Sequence, residues 1–204
     1  MQPPVICLVT GGGPAKALLA LIRDAALAGV DLIQVREPGL DDRTLVTLTR
    51  DAVDAARQTH CRVVVNDRVD IALAADAAGV HLRGASMSAT RVRGVIDGSF
   101  LVGRSVHDRQ EALAAAQSGC DYLIFGTVFP SRSKPPGHPV AGLAQLHEIA
   151  TAVHIPVLAI GGISTENAAV AIAAGAAGVA GIELFRSDVP IASTVSCLRR
   201  SFDT

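Results

Sequence analysis

The chain has no tryptophan, one tyrosine and five phenylalanines among its 204 residues. So few flat rings leave no platform on which bases could stack. Positive charge is not in excess either, with 18 Lys and Arg against 19 Asp and Glu and a net charge of -1. Without a basic run there is no electrostatic footprint for nucleic acid or for an acidic membrane surface. No apolar stretch reaches membrane-spanning length and no secretory leader pattern is visible, so the expected setting is the cytoplasm with reduced thiols. The cysteines (Cys7, Cys61, Cys120 and Cys197) are far apart and form no CxxC pair. That spacing argues against a zinc site or a disulfide framework, and the first three, in or beside apolar runs, read as small hydrophobes.

What is abundant is apolar sequence, half of the residues, in short runs that alternate with alanine-rich stretches. Strand-length runs fall at 5–10, 31–36, 62–66, 79–82, 100–102, 122–125, 157–160 and 178–181. Helical stretches between them cover 15–28, 42–58, 69–78, 89–96, 109–118, 143–152, 165–174 and 189–202. Buried parallel strands read as unbroken apolar runs, as Val63-Val64-Val65 does. Gly29, Gly119 and Gly175 each follow a helical stretch and precede a strand, which suits helix C-caps. Eight strand–helix pairs in one chain predict a single (β/α)8 TIM barrel over 1–204, with a doubly wound open sheet as the competing architecture.

A barrel carries its chemistry at the carboxyl ends of its strands. Gly161 and Gly162 after the seventh run, and Gly181 and Ile182 after the eighth, admit close backbone approach and suit a phosphate, although such glycines also serve as tight turns. Gln34 and Arg36, two apart and so on one side of a strand, suit an anionic ligand; a surface ion pair is the plainer role for the arginine. Asn66 and Asp67 end the third run, yet the segment 83–88 after the fourth offers no second carboxylate for a metal. Ser105 and His107 follow the fifth run, just before a helix. A helix N-terminus disfavours positive charge, so His107 suits proton transfer, with helix capping or plain exposure as its bland alternatives. The segment 127–138 carries hydroxyls, Arg132, Lys134 and prolines, and reads either as a lid over an anion or as a solvated loop. Asp121 and Tyr122, at the opposite end of the barrel, read as structural.

Taken in order, Gln34-Val35-Arg36-Glu37, Asn66-Asp67-Arg68, Gly79-Val80-His81-Leu82, Gly103-Arg104-Ser105-Val106-His107, Gly126-Thr127-Val128-Phe129, Ser131-Arg132-Ser133-Lys134 and Ala159-Ile160-Gly161-Gly162 resemble the thiamine phosphate synthase/TenI superfamily. The resemblance runs from about Val5 to Phe185 and implies a phosphate-binding barrel with one of two activities. A synthase joins a pyrimidine pyrophosphate to a thiazole phosphate with Mg²⁺. A TenI-type tautomerase shifts a proton to aromatise a dihydro thiazole carboxylate phosphate.

Two departures favour the tautomerase. The synthase lysine of Q-x-R-x-K is Pro38 here, and the second metal-ligating aspartate of H-L-G-Q-x-D is Ser86. The expectation is therefore a cofactor-free thiazole tautomerase with His107 as general acid/base. Its substrate would be held by Gln34, Arg36, Asn66, Ser105, Gly126, Ser131, Ser133 and Lys134, with the phosphate at Gly161, Gly162, Gly181 and Ile182. The alternatives are a divergent synthase using Mg²⁺ at Asp67, with Arg83 covering for Pro38, and a non-catalytic regulator that binds thiazole phosphate or thiamine phosphate. A homo-oligomer, most plausibly a dimer, is expected.

Overall fold

The computed structural model describes residues 4–96, 98–131, 135, 137–186 and 188–203. Eight parallel strands close on themselves in chain order, each followed by a helix. They are β1 (Val5–Val9), β2 (Leu32–Val35), β3 (Arg62–Asn66), β4 (Gly79–Leu82), β5 (Leu101–Val106), β6 (Tyr122–Phe125), β7 (Val157–Ile160) and β8 (Gly178–Gly181). The helices are α1 (Ala15–Ala28), α2 (Asp42–Ala56), α3 (Val69–Ala74), α4 (Ala89–Arg93), α5 (Arg109–Gln117), α6 (Gly142–Ala152), α7 (Ala168–Ala173) and α8 (Ile191–Phe202), with a 3-10 turn at Glu183–Phe185. This is the (β/α)8 barrel that the alternating pattern predicts. Among the described residues no helix is long and apolar enough to cross a membrane.

Strand periodicity sorts the core into two layers. Val5, Cys7, Val9, Leu32, Val64, Tyr122, Ile124, Leu158 and Ala180 fill the barrel lumen. Their neighbours in sequence, such as Ile6, Leu8, Ile33, Val63 and Val65, face outward into a larger core against the helices. Because β1 joins β8 through Val5–Gly178 and Leu8–Gly181, no sheet edge is left open. Burial raises the thiols of Cys7 and Cys61 above their ordinary range, the second to about 12, in keeping with hydrophobic rather than reactive cysteines.

Local chemistry sets the ends of the elements. α1 stops at Gly29, whose left-handed backbone (φ 94) lets its N–H reach the carbonyls of Ala25 and Ala26. Asp41 and Asp108 cap α2 and α5 through their side chains. α3 ends four residues earlier than 78, because Asp76 turns left-handed (φ 54). α7 begins at Ala168 instead of 165, since Asn167 accepts from Ser164 N at 2.8 Å and donates to the Gly162 carbonyl at 2.9 Å in a turn of its own.

The largest departure is β5, which runs through Val106 instead of ending at 102. Arg104 and Ser105 interrupt the apolar run, but each finds a polar partner on a neighbouring strand or loop.

Candidate active site

Counting two residues at a time from the lumen-facing core places Gln34, Arg36, Asn66, His81 and Ser105 on the inner faces of β2 to β5 and their extensions. These side chains lace neighbouring strands together at the carboxyl mouth. Gln34 Nε2 donates to Asn66 Oδ1 at 2.9 Å, joining β2 to β3. His81 Nε2 lies 2.9 Å from Ser105 Oγ, joining β4 to β5. His107 Nδ1 lies 3.0 Å from the Gly126 carbonyl, joining β5 to β6. A carbonyl only accepts, so Nδ1 carries the proton and Nε2 of His107 is left as the other ring nitrogen on an exposed side chain. Its backbone N–H is held by Glu111 Oε2 at 2.7 Å, while Asp108 caps the same helix.

Arg36 differs from its neighbours. Thr10 Oγ1 accepts from its backbone N–H at 2.9 Å, but its exposed guanidinium pairs with no other described residue. It is a cation at the rim, not the closer of a surface ion pair. The adjacent Glu37 is buried and accepts from Gly12 N at 3.2 Å, which ties β2 to the loop after β1.

The phosphate end is shaped by close contact. Gly162 is left-handed (φ 64), and a Cβ there would meet the Pro130 carbonyl oxygen at 2.4 Å. Gly161 and Gly162 thus let the start of the β6–α6 loop lie across β7, where Val128 N and Phe129 N donate to the carbonyls of Ile160 and Gly161 at 2.9 and 3.0 Å. Among the described residues, the N–H groups of Gly162 and Ile182 donate to no protein acceptor. Open donors beside the ends of β7 and β8 suit an anion. Gly126 sits in the same corner, and Ser131 is half-buried just beyond it. Ser133 and Lys134, expected to hold substrate, lie outside the described residues.

His81 and Tyr122 carry more of the interior than their sequence context suggests. Tyr122 starts β6 at the far end, yet its hydroxyl reaches back to 3.2 Å from His81 Nδ1. Burial, then the charge of Arg104, pulls the His81 imidazole down to about 3, so it is neutral. Burial pushes the Tyr122 phenol well above its ordinary value. The run Tyr122–His81–Ser105 is therefore a neutral polar column inside the lumen. The signal in the sequence is that this is the only tyrosine, on the inward parity of its strand. Asp121 is structural as expected, accepting from Val102 N at 2.7 Å and pairing with Arg93.

Asp67 has no second carboxylate, and its own oxygens are taken. Arg83 donates to Oδ2 through Nε at 2.8 Å and through Nη2, and Ser86 Oγ donates to Oδ1. Among the described residues no group of three His, Cys, Asp or Glu side chains could hold a metal ion. Mg²⁺ binds through oxygen ligands in near-octahedral order, and a single carboxylate already covered by a guanidinium does not fit it. Arg104 fastens the turn that carries Arg83 and Ser86, donating to the Gly84 and Met87 carbonyls at 2.7 and 3.1 Å.

Fold and mouth together define a (β/α)8 barrel with a polar, cation-bearing rim. The family described as thiamine monophosphate synthase matches residues 6–185, and the chain belongs to that family. A protein of Geobacter sulfurreducens is 44% identical over 85% of this chain and 81% of its own length. One of Roseiflexus castenholzii is 40% identical over 81% and 72%. Both are named as thiamine-phosphate synthases, the first provisionally. The structure of thiamine phosphate pyrophosphorylase from Pyrococcus furiosus matches at 30% identity with a TM-score of 0.85, over 98% of this chain and 95% of that one.

These relatives correct the tautomerase expectation. At 36–44% identity over most of the chain they carry the synthase name, which was the alternative. The expectation weighed Pro38 and Ser86 as two lost charges. Arg83, named with the synthase alternative as the cover for Pro38, lies on Asp67 and places a cation beside it. The cofactor expectation is tied to the activity, none for the tautomerase and Mg²⁺ for the synthase, and so moves with this correction to the Mg²⁺ of the alternative.

Proposed function

We propose that the protein is a thiamine-phosphate synthase, a transferase that joins a pyrimidine pyrophosphate to a thiazole phosphate and releases pyrophosphate. The observation that carries this reading is the 44% and 40% identity to proteins of that name over 85% and 81% of the chain. The bond from the pyrimidine-bearing carbon to the pyrophosphate oxygen breaks, and the thiazole takes the place of the leaving group. Such a step needs the two substrates aligned, cationic groups on the leaving group and a second anion site for the thiazole phosphate.

The mouth supplies each of these in this reading. Gly161, Gly162, Gly181 and Ile182 offer backbone donors to the thiazole phosphate. Gln34 and Asn66 orient the pyrimidine through polar edges, and their mutual hydrogen bond presets both side chains. Arg36 stands ready for the pyrophosphate. Ser105 and the Gly126 corner border the space between, and His107 Nε2 is a further polar contact there instead of a general acid/base. Ser131, Ser133 and Lys134 are assigned to the pyrophosphate on their hydroxyl-x-hydroxyl-Lys pattern. Mg²⁺ would supply countercharge to the pyrophosphate in the family's chemistry, but the donors around Asp67 do not fit it here. A cytoplasmic homodimer is the setting this reading expects.

The test is to give the purified chain both substrates, with and without Mg²⁺, and follow thiamine phosphate and released pyrophosphate. Stoichiometric formation of both products is the expected result. Tight binding of thiazole phosphate or thiamine phosphate with no product under either condition would instead establish the non-catalytic regulator.

A further inference from the structure

The corner around Asp67 holds one arginine in a fixed place by several independent contacts. Asp67 is left-handed (φ 65), a conformation that Asp adopts more readily than most residues but still at a cost. Its N–H is fastened to the His81 carbonyl at 2.8 Å, so the carboxylate is directed across to the loop after β4. There it meets the Arg83 guanidinium and the Ser86 hydroxyl. The loop closes on itself, with Arg83 N donating to Ser86 Oγ at 2.8 Å and Ser86 N to the Arg83 carbonyl at 3.1 Å. Arg104 braces it from β5. The Arg83 side chain is nonetheless 65% exposed, and among the described residues its Nη1 has no partner. One edge of the guanidinium is spent on Asp67 and the other faces outward.

A divalent ion and Arg83 compete for the same carboxylate. A cation that is already seated, with donors in a planar fork, matches phosphoryl oxygens bidentately and needs no reorganisation when the anion arrives. We infer that Arg83 is the resident cation of the pyrophosphate end, held by Asp67 and Ser86, and that with Arg36 it binds pyrophosphate without a divalent ion. Asp67 is then a positioning residue for Arg83, not a metal ligand. This rests on the synthase reading for the identity of the anion.

The test measures binding of inorganic pyrophosphate to the full chain by calorimetry, in EDTA and in Mg²⁺, alongside turnover of both substrates. Pyrophosphate is expected to bind in EDTA, and Arg83→Gln to weaken that binding at least about tenfold, the loss of one charge-assisted contact. Arg83→Lys, which keeps the charge but not the fork, should fall between the two. Releasing Asp67 in Arg83→Gln should also raise Mn²⁺ binding, read by paramagnetic resonance. Pyrophosphate binding in EDTA that is the same in wild type and Arg83→Gln, or wild-type binding that appears only with Mg²⁺, overturns the inference. Turnover with binding only in Mg²⁺ overturns it while keeping the synthase reading. Arg83-dependent binding in EDTA with no turnover supports the resident cation and overturns the synthase reading.

Discussion

Nε2 of His81 lies 2.9 Å from Oγ of Ser105, and Nδ1 of the same ring lies 3.2 Å from the Tyr122 hydroxyl. One buried imidazole thereby ties β4 to β5 and β6 across the lumen. A neutral His donates from one nitrogen and accepts at the other, and each hydroxyl can take either complementary part. Protonation would place an unpaired charge inside the barrel, close to the charge of Arg104.

Acid stability follows from that ring. Its folded value is lowered from 6.5 to about 3, so between those pH values the unfolded chain binds a proton that the folded chain refuses. Stability is therefore complete above the unfolded value and falls as pH is lowered toward 3, at up to about 1.4 kcal/mol per pH unit. His81→Gln is expected to be less stable at neutral pH and to lose less on acidification. Urea unfolding of both proteins from pH 7 to pH 4 checks it; parallel curves would remove His81 as the source.

Gly103 is required by Tyr122. A Cβ at position 103 would stand 2.1 Å from Tyr122 Cζ, and the ring it meets is fully buried. Gly103→Ala is expected to cost about 2 kcal/mol or more by overpacking. Adding Tyr122→Leu should recover part of that loss despite its own cavity, because it removes the clashing atoms. Denaturant midpoints of the single and double variants decide it.

The opposite end of the barrel should affect stability alone. Asp31 accepts from Ile6 N at 2.7 Å and from Arg199 Nη2 at 2.6 Å, and Arg199 also donates to the Pro4 and Gly29 carbonyls. Arg199→Met is expected to lower stability by about 1–2 kcal/mol through these lost contacts, leaving kcat and KM of the proposed synthase reaction unchanged. A raised KM would show that this end communicates with the mouth.

The exposed imidazole of His107 should report on the mouth alone. His107→Gln is expected to leave the melting temperature within about a degree, since surface changes cost little, and to lower kcat/KM about fivefold, the worth of one hydrogen bond. Loss of a thousandfold would return His107 to a central chemical role, and no loss would place it outside the site.

Gly162→Ala probes the thiazole phosphate end. The substitution strains a left-handed backbone and meets the carbonyls of Phe129 and Pro130. It should raise KM for thiazole phosphate more than KM for the pyrimidine substrate, because only the former sits on that loop in the proposed arrangement. Equal effects on both would assign the glycine to general packing.

The sequence by itself determined the barrel and most of its element limits. β3, β4, β6, β7 and β8 run from 62 to 66, 79 to 82, 122 to 125, 157 to 160 and 178 to 181, where apolar runs are bounded by glycines and polar turns. Buried parallel strands are apolar on both faces, which leaves a plain mark in one dimension. The rim positions of Gln34, Arg36, Asn66 and His107 were legible for the same reason, since strand ends locate the mouth. Tertiary structure alone decided β5, whose polar residues are strand residues only because His81 and the loop at 84–87 come to meet them. It also decided what stands beside Asp67, a matter that Pro38 and Ser86 leave open in the sequence. Counted along the chain, they are a lost cation and a lost carboxylate. In the folded barrel, Arg83, sixteen residues beyond Asp67, occupies that corner. Charge complementarity is set by distance in space, and residue order does not record it.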